Sequence, residues 1–92
     1  STNWKLYLNY TNPMIESSGK VLIDSLFFKK FNNEETLLKT YKKLIYESND
    51  NGGNVNVSNI TFSIDKGLFL KPSKDLFENE DYSTLIVWSV EA

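Results

Sequence analysis

Histidine, cysteine, arginine and glutamine are all missing from this 92-residue chain, and its single alanine is the last residue. Each absence removes a class of chemistry. Without cysteine there is no disulfide and no thiolate metal site, so the fold must rest on apolar burial. Without histidine and cysteine, the usual general base and the thiol nucleophile are lost, and proton transfer falls to Asp, Glu, Lys or Tyr. Without arginine there is no bidentate reader of guanine. The longest apolar runs, Val21–Ile23 and Leu85–Trp88, fall far short of the roughly 20 residues that cross a bilayer as a helix. No basic leader is visible either, so a cytoplasmic location, in a host or bacterial cell, is expected. Abundant Lys, Asn and Ile beside scarce Ala and Gly fit an AT-rich coding sequence, such as that of an AT-rich bacterium or its phage.

What is present is aromatic and mildly acidic. Trp4, Phe27, Phe28, Phe31, Phe62, Phe69, Phe77 and Trp88 can fill a small core, since each aromatic side chain removes a large apolar area from water. The net charge is −2. Length and the lack of any linker or repeat make residues 1–92 one domain.

Residues 3–10, "NWKLYLNY", alternate, with Trp4, Leu6, Leu8 and Tyr10 on one face, which predicts a half-buried strand. A loop at 11–19 is punctuated by Pro13 and Gly19. Residues 20–31, "KVLIDSLFFKKF", read as a second strand. Asn32 with Glu35 three residues later has capping-box spacing, and Leu37, Leu38, Tyr41, Leu44, Ile45 and Ser48 then follow a 3.6 period. That pattern predicts the main helix, stopped by "NDNGGN" at 49–54. Residues 55–64 read as a strand with a bulge near Ser58-Asn59, and "DKG" at 65–67 as a hairpin turn into "LFLK". Ser73 can cap a helical turn through Phe77. "DYSTLIVWSVEA" closes the chain as a strand apolar on both faces, hence central. The expected order is β-β-α-β-β-β, an α+β domain with one helix on a mostly antiparallel sheet of about five strands.

Four carboxylates, Asp75, Glu78, Glu80 and Asp81, surround Phe77 and precede Tyr82. A hard cation wants six to eight converging oxygens, and this spacing matches no loop motif. "NDNGGN" fails as an EF-hand loop because Ser58 stands where the bidentate Glu belongs. No metal or cofactor is therefore expected. Five acidic residues and no lysine lie between Asp75 and Glu91, whereas Lys20, Lys29, Lys30, Lys39, Lys42 and Lys43 lie in the first half. Such asymmetry steers an encounter with an oppositely charged surface. It is equally what a solvated surface turn carries.

The expected helix would place Lys39, Lys42, Lys43 and Tyr46 opposite its apolar stripe, where lysines could meet phosphates and Tyr46 could stack on a base. The negative net charge and the absence of arginine argue against nucleic acid. A carboxylate pair such as Asp24 with Glu78 has no spacing that indicates a shared cleft. The sequons at Asn9, Asn56 and Asn59 are what a chain rich in Asn, Ser and Thr produces by chance. The residues point to a non-catalytic binding protein, an inhibitor, immunity factor or phage accessory, that covers a basic surface of another protein. The expected contacts are Asp75, Phe77, Glu78, Glu80, Asp81 and Tyr82. Nucleic-acid binding and a structural subunit, with a homodimer through an edge strand, are the alternatives.

Overall fold

The computed structural model of the chain describes residues 3–15, 19, 21–49, 66–71 and 82–91. Strand β1, Lys5–Tyr10, follows directly from its alternation: Leu6 and Leu8 are buried, while Lys5, Tyr7 and Asn9 point the other way. It is the middle strand of an antiparallel sheet, between β6, Lys43–Glu47, and β8, Ile86–Glu91. Leu6 faces Val90, Leu8 faces Trp88 and Tyr10 faces Ile86, so the even-numbered residues of β8 share the core face.

The pairing of β1 with β6 is irregular, and the irregularity has a use. Leu6 lies opposite Tyr46 but Tyr7 lies opposite Leu44, which leaves Ile45 as an extra residue. In a regular strand neighbouring side chains point to opposite faces. The bulge lifts that rule locally, and Ile45 and Tyr46 are both buried.

A second sheet has the order β5-β4-β7, where β4 is Leu26–Lys29, β5 is Glu35–Leu37 and β7 is Gly67–Leu70. Phe28 on β4 carries its contact to the first sheet, reaching both Tyr46 and Trp88. The chain passes from one sheet to the other at Leu38-Lys39. There the Leu38 N–H donates to the Leu26 carbonyl at 2.8 Å, and the Lys39 carbonyl accepts from the Tyr10 N–H at 3.0 Å. Leu38 is wholly buried at this corner. The core is Leu6, Leu8, Phe28, Leu38, Ile45 and Tyr46, edged by Trp4, Tyr10, Leu26, Leu68 and Ile86. Full burial of side chains such as Leu8 or Phe28 contributes about 1.5–3 kcal/mol each. A short ribbon of β2, Met14–Ile15, and β3, Val21–Leu22, lies in the segment expected to be a loop and the start of a strand.

Several expectations are corrected. Among the described residues there is no helix, so the α+β fold with one main helix and the order β-β-α-β-β-β gives way to strands in three small sheets. The stretch from Asn32 to Ser48 is a turn followed by β5 and β6. Thr36, Thr40, Tyr41, Ile45 and Tyr46 are β-branched or aromatic, helix formers of middling strength at best, and pairing with β4 and β1 outweighs the local pattern. Residues 20–31 are not one strand: Asp24, at φ 51°, bends the chain between β3 and β4. Strand β8 was expected to be central, yet among the described strands it pairs with β1 alone. Gly67 does have positive φ, 111°. The expected strand at 55–64 with its bulge, the helical turn after Ser73 and the acidic stretch 75–81 lie outside the described residues.

Candidate functional site

The face of the β6-β1-β8 sheet turned away from the core is the most distinctive surface among the described residues. β1 supplies Lys5, Tyr7 and Asn9 to it. The register sets Glu47 and Glu91 on either side of Lys5, and Leu44 and Ser89 on either side of Tyr7, with Val87 beside Asn9. Leu44 is 44% and Val87 38% exposed, which puts apolar area on this face on both sides of β1.

Tyr7 is the centre of this face. Its hydroxyl donates to the Glu91 carboxylate, and this bond raises the phenol above its ordinary value of 10.0. Partial desolvation and the negative charges of Glu91 and Glu47 push the same way. Lys42 places its ammonium 5.9 Å from the Tyr7 ring centroid, within reach of a cation–π contact. The result is an apolar strip with one end lined by carboxylates around Lys5.

The lysines expected on one helix face are dispersed by the strands. Lys39 donates to Asp24 Oδ1 at 2.7 Å, Lys42 lies over Tyr7, and Lys43 lies 5.9 Å from the Tyr41 ring centroid. Tyr46 is 6% exposed, set edge-on to Phe28 and stacked on Phe31, and its hydroxyl accepts from the Phe31 N–H at 3.3 Å. The ring is enclosed, and the helix face on which Lys39, Lys42, Lys43 and Tyr46 were to stand together is absent among the described residues. Of the residues expected to meet a protein partner, Asp75, Phe77, Glu78, Glu80 and Asp81 lie outside the described residues. Tyr82 is half-buried ahead of β8.

The open face was half legible. Alternation in residues 3–10 already sets Lys5, Tyr7 and Asn9 together, but the helix-like spacing of residues 37–48 hides their neighbours Leu44 and Glu47. Among the described residues, no three acidic, histidine or cysteine groups converge as a metal site would require. Among the same residues no helix is long and apolar enough to cross a membrane. No family model matches the chain, and neither a curated protein nor a solved structure matches it.

Proposed function

We propose that this chain is a non-catalytic protein-binding module that covers a basic, partly apolar surface of another protein in the cytoplasm. The observation that carries the reading is the strip of exposed Leu44 and Val87 with half-buried Tyr7 between them, beside Glu47 and Glu91. Apolar area at the centre and charge at the margin is how protein interfaces divide affinity from orientation. The carboxylates Asp75, Glu78, Glu80 and Asp81, with Phe77 and Tyr82, add negative charge and aromatic anchors to the same role. An inhibitor or immunity protein acts in this manner.

Affinity capture from the native source, with wild type and single variants as bait, tests it. A protein partner should be recovered, released progressively by salt, and lost from the Leu44→Asp and Glu91→Lys baits. Recovery of nucleic acid that is lost on Lys42→Glu would replace the proposal with nucleic-acid binding. Self-association indifferent to all three changes would replace it with a structural subunit.

A further inference from the structure

The hairpin joining β4 to β5 holds a buried cation at its tip. Lys30 is 8% exposed. Its ammonium lies 5.1 Å from the Tyr46 ring centroid and 5.9 Å from that of Phe31, with a Glu34 carboxylate oxygen at 3.9 Å. Burying an ammonium is unfavourable unless several groups replace its water. Two ring faces and a carboxylate contribute to that replacement here, and in doing so they fix the position of Phe31. The Phe31 ring stacks on Tyr46, centroids 5.9 Å apart and planes at 14°, and its N–H donates to the Tyr46 hydroxyl.

The turn beneath is equally defined. Lys30 N–H donates to the Glu34 carbonyl at 2.9 Å, and Asn33 N–H to the Lys30 carbonyl at 3.0 Å. Asn33 takes the left-handed position at φ 70°, as a three-residue hairpin loop requires. Asn32 Oδ1 accepts from the Glu34 N–H at 3.0 Å. Yet Phe31 stays 41% exposed and the Glu34 side chain 68% exposed. An aromatic ring ordered before any encounter loses little freedom when it is buried in a partner.

We infer that this tip is a preorganised knob: Phe31 enters an apolar pocket on the partner protein, and Glu34 meets a cation at the pocket's rim. The inference rests on the protein-binding reading above and adds a second contact to it. Charge complementarity selects the occupant, because within the loop 31–34 the exposed ionised group is the Glu34 carboxylate, whose 3.9 Å contact with the shielded Lys30 ammonium leaves it turned outward toward a basic side chain. The geometry deepens the partner's description to a protein with a hydrophobic pocket next to lysine or arginine.

The test uses the full chain in its native cells, with p-benzoylphenylalanine placed at Phe31 in one variant and at Val87 in another. After irradiation, the probe at position 31 should link to apolar residues of a protein with a lysine or arginine beside them. Glu34→Gln, which removes the charge without setting a second cation beside Lys30, should cut that yield by about tenfold, with the unfolding temperature of the same variant checking its fold. Links from position 87 without links from 31 would overturn the knob and leave the open-face reading standing. Links from 31 alone would keep the knob and overturn the open face. Links from 31 to nucleic acid, to no molecule at all, or at a yield indifferent to Glu34→Gln would overturn the knob.

Discussion

Phe28 of β4 meets the indole of Trp88 of β8 edge-on, with ring centroids 6.0 Å apart and planes at 89°. Tyr46 of β6 takes up the same relation to Phe28, at 5.9 Å and 86°. One ring thus ties the second sheet to both outer strands of the first. Edge-to-face pairs favour association beyond the area they bury, because the positive edge of one ring meets the negative face of the other. Phe28→Ala should therefore cost about 3–5 kcal/mol, as large-to-small changes of a buried Phe do. Urea denaturation followed by tryptophan emission measures it, and a loss below about 1 kcal/mol would contradict the role given to Phe28.

The hairpin turn offers a sharper local check. Asn33 sits at φ 70°, a region that glycine enters freely and β-branched residues avoid. Asn33→Gly should leave stability within about 0.5 kcal/mol of wild type, whereas Asn33→Val should lower it by roughly 1–3 kcal/mol. Equal effects from the two changes would mean that the turn is not built this way.

The same turn explains why the sequence misleads. Asn32 and Glu35 have the spacing of a helix cap, and Asn32 Oδ1 does accept a backbone N–H, that of Glu34 two residues on. An Asx turn and an N-cap use the same side-chain oxygen, so local chemistry alone does not separate them. The stripe of Leu37, Leu38, Tyr41, Leu44, Ile45 and Ser48 fits a helix, yet Tyr41 and Leu44 are exposed while the off-stripe Tyr46 is buried. What decides is distant: Leu6 pairs with Tyr46, and the bulge at Ile45 breaks the period of two that would have announced β6. β1, whose alternation is unbroken, was legible in full. β7 was legible as a short strand, though its pairing with β4 was not. The bend at Asp24 was hidden because Val21 to Phe28 alternates plausibly through it.

Lys71 donates to both oxygens of Glu35, at 2.6 and 2.7 Å, and holds that carboxyl below its ordinary 4.5. A carboxyl depressed in the folded state stabilises the fold above its unfolded value and loses that contribution as pH falls through the folded value. Lys71→Met keeps an apolar side chain beside Phe27 but removes the charge. Wild type should unfold at a higher temperature than Lys71→Met at neutral pH, with the difference closing in acid below pH 4.5. A gap independent of pH would show that the ammonium has no hold on Glu35.

At the alkaline end the sign reverses. Tyr7 is raised by its hydrogen bond to Glu91, so its contribution is complete below pH 10.0 and lost as pH rises through the folded value. Subtracting the ultraviolet titration of Tyr7→Phe from that of wild type isolates this phenol. In the Glu91→Gln background the isolated curve should move back toward 10.0. Superimposable curves would remove Glu91 from the site.

The open face exists only if residues 43–47 run as a strand beside β1, with Leu44 opposite Tyr7. Nuclear Overhauser contacts in the full chain decide this directly. Cross-strand contacts from the Tyr7 ring to the Leu44 methyls, together with strong sequential α-proton-to-amide contacts through Lys43–Glu47, are the predicted result. A run of amide-to-amide contacts along that segment, with Tyr7 remote from Leu44, would restore the helix and remove the face.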